Sequence, residues 1–129
     1  MASYLPRKTG VTTTFVAGAL ADFEAAWTER TKLVYLESPS SAVFGLQDIE
    51  AIAQLAHARG ARVVVDNTWA TPVFQKTLAM GADLEVHSAS KYLCGHSDVV
   101  AGVVLGSKKD LASIAVQEGE LLGAKMAPF

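Results

Sequence analysis

The hydrophobic residues of this 129-residue chain follow two different periods. Over residues 46–59 they recur at helical spacing, and Gly60 follows as a C-terminal cap. Further helices are predicted at 22–28, 73–80 and 110–122, the last ended by Gly123. Short apolar runs at 10–15, 32–36, 62–68, 84–89 and 99–105 predict strands, and the last has the composition of a strand buried on both faces. Gly102 within it predicts a close backbone approach, either to a cofactor or to a neighbouring strand. This alternation predicts a layered αβα, or α/β, fold with a mostly parallel sheet.

Asp66 ends the Val-rich run RVVVD, and it is the first candidate for a functional site. In open α/β sheets, ligands bind outside the carboxyl ends of the strands. A carboxylate in that position can keep the nitrogen of a pyridine ring protonated. Asp66 is equally suited to be a turn residue within Asp66-Asn67-Thr68.

Lys91 is the second candidate, since it follows the apolar run ending in Ser88 and Ala89. A lysine amine forms a Schiff base with an aldehyde only when it is neutral, which burial favours, and we expect its stem to be packed. Ser88 and Ser90 flank it at the two-residue spacing of a strand, which predicts both hydroxyls on one face, where they would suit a phosphate group. The alternative is a surface lysine at the end of a strand.

Several segments together resemble one family. Asp66-Asn67-Thr68-Trp69 is followed by SASKYLCGHSD at 88–98, with YLESP at 35–39 upstream, GADL at 81–84 between, and VVAGVV at 99–104 afterwards. Their order and spacing resemble the trans-sulfuration, or cysteine and methionine metabolism, family of pyridoxal phosphate-dependent enzymes. The resemblance covers nearly the whole chain.

The resemblance implies the large domain of a fold-type I, aspartate aminotransferase-like enzyme with pyridoxal 5′-phosphate as cofactor. By it, Lys91 forms the Schiff base and later moves the substrate proton. Asp66 pairs with the ring nitrogen, and Ser88 and Ser90 contact the phosphate. Glu37 is placed close to the site.

Two positions depart from the family's usual pattern. Ser90 stands where threonine is usual, although a hydroxyl remains. Ser41 stands where many members have asparagine. Ser41 together with Trp69 resembles some β-lyases more than synthases or γ-lyases.

The function implied is C–S bond elimination from cystathionine-like substrates. The alternatives are a γ-replacement synthase or γ-lyase of the same family, or a non-catalytic module. The resemblance also implies a small amino-acid substrate and a homo-oligomer, a tetramer in the full-length parent. Residues 1–129 are expected to form only part of the large domain, without its N-terminal part and without the C-terminal domain. We therefore expect this piece alone to be inactive.

Composition changes this picture little. The net charge of −2 offers no basic face for nucleic acid, and no apolar run is long enough for a membrane span. No signal peptide is indicated and the one cysteine, Cys94, suits a reducing compartment, so a cytoplasmic location is expected. Cys94 itself is interpreted as a small apolar filler. His87, His96 and Asp98 lack the spacing of metal ligands, and no metal is predicted.

Overall fold

The computed structural model describes residues 4–120 and residue 123. In chain order the elements are α1 (Tyr4–Thr9), α2 (Leu20–Ala26), β1 (Leu33–Glu37), α3 (Ile49–Ala58), β2 (Arg62–Asp66), α4 (Thr71–Phe74), β3 (Leu84–Ser88), β4 (Gly102–Gly106), α5 (Lys108–Ile114) and a π-helical segment, Ala115–Glu120. The last predicted helix therefore begins at Lys108. Its predicted final residues, Leu121 and Leu122, lie outside the described residues.

Within the described residues, four strands form one sheet in the order β1-β2-β3-β4. The first three are parallel, and β4 runs antiparallel to β3. Asp66 pairs with Glu37 on one side and with Val86 on the other. The carboxyl ends of three strands therefore meet at one edge, and the predicted mostly parallel α/β sheet is confirmed.

Helix α3 covers one face of β1 and β2. Its buried residues pack with alternate residues of the strands in one core, which contains Val34, Leu36, Ile49, Ile52, Ala53, Ala56, Val63 and Val65. Asp48 caps the helix by accepting a hydrogen bond from Ala51 N–H (3.0 Å). Gly60, at φ +70°, ends it as the sequence predicts. The helix begins later than Leu46 because the side chain of Gln47 instead accepts a bond from Glu37 N–H (3.2 Å).

Two predicted elements are wrong in position or in kind. Residues 10–15 are irregular and exposed rather than a strand, because their β-branched residues have no neighbouring strand to pair with. The helix predicted over 73–80 is shorter and earlier, at Thr71–Phe74, and turns occupy residues 77–81. Pro72 lies in the first turn of this helix, where its missing N–H costs nothing.

The prediction that β4 is buried on both faces is wrong. Val103 and Val104 are 37% and 41% exposed, since β4 is the edge strand of the described sheet. Gly102 is also not the point of close approach, because a Cβ there would meet only His87 O, at 3.9 Å. The tight position is Gly106, where a Cβ would lie 2.5 Å from Leu84 Cδ2 and 3.1 Å from Asp83 O.

Candidate functional site

A cleft of ≈ 300 Å³ lies at the carboxyl ends of the parallel strands. Its walls are formed by the last residues of β1 and β2 and by the loops that follow β1, β2 and β3: Glu37, Ser41, Ala42, Phe44, Asp66, Thr68, Trp69, Lys91 and Tyr92. The structure thus brings Asp66, Lys91 and Glu37 together, although Asp66 and Lys91 are 25 positions apart in the sequence.

Asp66 is half-buried, and neighbours hold both of its carboxylate oxygens. Thr68 N–H donates to Oδ1 (3.0 Å), and the hydroxyl of Tyr35 donates to Oδ2 (3.4 Å). Burial first, and then the charge of Asp66 and the hydrogen bond to it, raise the pKa of Tyr35 to about 12; Glu37 adds to the effect. Tyr35 therefore keeps its proton and remains a donor to Asp66 at neutral pH.

Glu37 and Ser41 form the wall that follows β1. The hydroxyl of Ser41 donates to Glu37 Oε1 (2.7 Å), and Ser41 N–H donates to Oε2 (3.3 Å). The two bonds turn the Glu37 carboxylate toward its own loop. Ser41 therefore presents a hydroxyl that is already oriented by a charged acceptor.

Lys91 lies in the turn after β3, and the prediction that its stem is packed is wrong. Its side chain is exposed, as are those of Tyr92 and Leu93 (54% and 45%). The reason is that β3 ends at Ser88, so the chain has already left the sheet. The turn itself is well defined, with Lys91 N–H donating to Ser88 O (3.1 Å) and Gly95 N–H donating to Lys91 O (2.8 Å).

The prediction that Ser88 and Ser90 share one face of a strand is wrong. Ser88 is the last residue of β3, and its N–H donates to Thr68 Oγ1 (2.8 Å). Ser90 lies in the turn, where its hydroxyl accepts from Ala101 N–H (2.8 Å) and donates to Ala101 O (3.3 Å). The hydroxyl of Ser90 thus closes the loop between β3 and β4.

An aromatic wall, formed by Phe44, Trp69 and Tyr92, lies on one side of the cleft. The rings of Trp69 and Tyr92 stack, with centroids 5.2 Å apart and planes at 19°. Phe44 meets Trp69 edge-on, with centroids 5.4 Å apart. No sequence pattern indicated this group, because its members come from three separate loops.

A second depression, of ≈ 490 Å³, is lined by Trp27, Arg59 and neighbouring residues of α2 and the following turn. Arg59 lies over the ring of Trp27 at 5.2 Å. Only Gly60 and Ala61 separate Arg59 from the start of β2, so this depression is at the amino ends of the strands. Ligands of open α/β sheets bind at the opposite edge, which favours the cleft at Asp66 and Lys91.

The histidines singled out in the sequence have protein partners. His87 is buried beside Glu85 (Nε2 to Oε1, 2.6 Å), and His96 Nδ1 lies 2.8 Å from Cys94 O. Among the residues that the structure describes, no group of three or more His, Cys, Asp or Glu side chains is placed to hold a metal ion. None of the described helices is long and apolar enough to cross a membrane.

A mostly parallel α/β sheet with an amine, two carboxylates and an aromatic wall at its carboxyl edge has the architecture of a small-molecule enzyme domain. The sequence defines the class further. Residues 1–129 match the family described as Cys/Met metabolism PLP-dependent enzyme, and the chain belongs to that family. Pyridoxal 5′-phosphate (PLP) is the cofactor of these enzymes, and the resemblance seen in the motifs is confirmed.

Two curated relatives show what the chain is similar to. It is 47% identical over 109 residues to a cystathionine beta-lyase of Lactococcus lactis subsp. cremoris (strain MG1363), covering 84% of this chain and 29% of the relative. It is 46% identical over 110 residues to an L-methionine gamma-lyase of Pseudomonas putida, covering 84% of this chain and 28% of the relative. The chain thus spans less than a third of the length of either relative.

A solved structure agrees with the fold. The chain superposes on a cystathionine gamma-lyase from Lactobacillus plantarum, complexed with L-serine, with a TM-score of 0.86 and 38% identity. The match covers 98% of this chain and 35% of the other. The α/β architecture is therefore that of the large domain of fold-type I PLP enzymes, as the sequence predicts.

The chemical groups that line the cleft include several of the kinds that would hold PLP. Its volume of ≈ 300 Å³ is at the lower end of the roughly 300–1,000 Å³ usual for small-molecule sites. An amine for an aldehyde, a carboxylate for a ring nitrogen and a hydroxyl at Ser41 all line the same space. These groups suit the aldehyde and the ring of PLP, whereas Ser88 and Ser90, which were predicted to contact its phosphate, are not among the residues that line the cleft.

Proposed function

We propose that the chain is the cofactor-binding part of a PLP-dependent lyase of sulfur amino acid metabolism, which eliminates a C–S bond in cystathionine-like substrates. The observation that carries the proposal is the meeting of Asp66 and Lys91 in one cleft at the carboxyl edge of the sheet. Residues 1–129 form part of the large domain in this proposal, and the homo-oligomer and cytoplasmic location predicted from the sequence belong to it.

Each proposed site residue has one task. Asp66 would pair with the ring nitrogen, and its Oδ2, which has only the long bond from the Tyr35 hydroxyl (3.4 Å), is less engaged than Oδ1, which accepts from Thr68 N–H (3.0 Å). Lys91 would hold the aldehyde through Nζ, and once free the same amine would take the substrate's α-proton and pass a proton to the departing sulfur. When bound, PLP supplies the electron sink for the carbon that has lost that proton. The aromatic wall excludes water from one side of the reacting groups.

The phosphate contacts are proposed for Ser88 and Ser90, with unequal roles. The hydrogen of the Ser90 hydroxyl is directed at Ala101 O, so Ser90 would have to give up that bond in order to donate to an anion. The long distance of this bond, 3.3 Å, makes the exchange inexpensive. Ser88 is the stronger candidate, because its contact with Thr68 is made through its backbone N–H.

The binding experiment uses the purified chain incubated with PLP and then desalted. We expect the wild type to retain an absorbance band from covalently held PLP, and borohydride reduction followed by peptide mapping to place the label on Lys91. Lys91→Ala should lose both signals. Lys32→Ala is the matched control, since Lys32 is an exposed lysine just before β1, at the other edge of the sheet. Retention of the band by Lys91→Ala would overturn the assignment.

Because residues 1–129 alone are expected to be inactive, the reaction is measured on the full-length parent, from the oxo acid that it forms from cystathionine. Water-assisted β-elimination gives pyruvate, ammonia and homocysteine, whereas γ-elimination gives 2-oxobutanoate, ammonia and cysteine. We expect pyruvate, because Trp69 and Ser41 resemble the β-lyases. Release of 2-oxobutanoate would favour the γ-lyase alternative, and formation of cystathionine from cysteine and an activated homoserine would favour the synthase.

A further inference from the structure

A buried polar network lies beneath the cleft, on the side of the sheet covered by α3. Along β3, Glu85 and His87 point to this side and are only 2% and 4% exposed, whereas the alternate residues are partly exposed. A carboxylate and an imidazole are costly to bury unless each finds hydrogen-bond partners. Their burial here therefore requires an explanation in terms of what they hold.

Glu85 accepts hydrogen bonds from three different segments. Thr77 Oγ1 donates to Oε2 (2.5 Å), Asn67 Nδ2 donates to Oε1 (3.0 Å), and His87 Nε2 lies 2.6 Å from Oε1. Hydrogen-bond partners thus surround both oxygens of the Glu85 carboxyl group. His87 Nδ1 is buried with no hydrogen-bond partner among the described residues. The imidazole is thus committed to Glu85 through its other nitrogen.

The network continues to the loops that form the cleft. Asn67 lies between Asp66 and Thr68, and its Nδ2 also donates to Gln75 O (2.8 Å). The amide of Gln75 returns a bond to Asn67 Oδ1 (3.1 Å) and donates a second to Ser38 O (2.9 Å), next to Glu37. Gln75 thereby joins the loop after β1 to the loop after β2, and Asn67 joins both to Glu85 of β3.

We propose that Glu85, oriented by His87, is a positioning residue for the cofactor site. Its carboxylate holds the side chain of Asn67, which sets where Asp66 and Thr68 stand in the cleft. The proposal rests on the function proposed above. It adds that a charged group outside the cleft wall determines how well the cleft binds PLP.

The test compares Glu85→Gln with a control on the same segment. The amide keeps the size of Glu85 but turns one NH₂ toward groups that are themselves donors. Asp83→Asn is the control, because Asp83 is also a partly buried carboxylate with close partners, Val63 N–H (2.7 Å) and His57 (3.0 Å), yet it lies at the amino end of β3. We expect Glu85→Gln to weaken PLP binding by about 10-fold or more. Asp83→Asn should lower the denaturant midpoint while leaving PLP affinity unchanged.

A second readout requires no cofactor. Trp27→Phe leaves Trp69 as the one tryptophan of the chain, so acrylamide quenching of its fluorescence reports on Trp69 alone. Trp69 is 40% exposed and lies in the same loop as Asn67. We expect Glu85→Gln to make Trp69 easier to quench and Asp83→Asn to leave it unchanged. If Glu85→Gln fails to fold, Thr77→Val removes a single bond to the carboxylate and should move both readouts in the same direction to a smaller extent.

The outcomes separate the two proposals. If Glu85→Gln alters the quenching of Trp69 but the wild-type chain does not bind PLP, the role of Glu85 in holding the loop is supported and the proposed function is overturned. If a folded Glu85→Gln or Thr77→Val chain has normal PLP affinity and normal quenching of Trp69, the positioning role of Glu85 is overturned. The proposed function is then unaffected.

Discussion

At the scale of single residues, Tyr35 has the clearest dependence on pH. Its side chain lies on the open face of β1 beside Asp66, and its pKa is raised to about 12, chiefly by burial and by the charge of Asp66. A neutral hydroxyl is required for the bond to Asp66. The contact is therefore present at neutral pH and lost only in strongly alkaline solution.

The expected effect on stability follows from the direction of this shift. Up to about pH 10, Tyr35 is protonated in both the folded and the unfolded chain, so its contribution is constant. Between about pH 10 and 12, the unfolded chain loses the proton first, and the free energy of unfolding should fall. Denaturant unfolding of the wild type and of Tyr35→Phe across this range isolates the effect. Identical pH curves for the two chains would contradict the prediction.

From the sequence it was possible to predict which residue types belong to the site, but not how each side chain is packed or hydrogen-bonded. Asp66 and Lys91 were predicted to share a site because the motifs that contain them together resemble one family, and they do lie in one cleft. The exposure of Lys91 and the engagement of Ser90 were not predictable. Both depend on a turn closed by Ala101, which lies 11 positions beyond Ser90.

At the scale of elements, Gly106 sets how closely β4 can approach β3. An added Cβ would lie 2.5 Å from Leu84 Cδ2, which can move, and 3.1 Å from Asp83 O, which belongs to the backbone and cannot move easily. We expect Gly106→Ala to destabilise the chain by about 1–3 kcal/mol, the usual cost of overpacking. Gly102→Ala is the control in the same strand, because its Cβ meets only ordinary contact at 3.9 Å. Chemical denaturation of both variants gives the comparison, and equal losses would show that the close approach at Gly106 is not what matters.

Helix α3 and strand β2 were predicted well because their signals are local. The Asp48 cap, the apolar stripe and Gly60 all lie within the segment that they define. Residues 10–15 and β4 were predicted poorly because their state depends on a distant partner. A β-branched run becomes a strand only beside another strand, and it is buried only if a second layer covers it.

At the scale of the whole molecule, the sheet has one covered and one open face. Opposite α3, Leu33 and Tyr35 are 56% and 58% exposed, and Val104 at the far edge is 41% exposed. Apolar groups in this number on one sheet favour contact between molecules. Within the described residues, β1 and β4 are the edge strands of the sheet, and edge strands favour the same contact.

We therefore expect the purified chain to self-associate as its concentration rises. Sedimentation velocity over a range of concentrations measures this association. Leu33→Lys should reduce it, because the charge lies on the open face, whereas Glu50→Lys, on the exposed side of α3, should not. A monodisperse wild-type monomer throughout the range would refute the prediction.

The wall of the cleft is exposed, whereas the polar network of Glu85, Asn67 and Thr77 beneath it is buried. This difference bears on how such a protein can evolve. Ser41, Phe44, Trp69 and Tyr92 are all exposed, and the loops that carry Ser41, Phe44 and Trp69 are joined beneath the cleft through Gln75 and Asn67. These exposed residues can therefore be exchanged while the scaffold persists. A library randomised at these positions should yield many folded chains, and one randomised at Glu85, Asn67 and Thr77 should yield few.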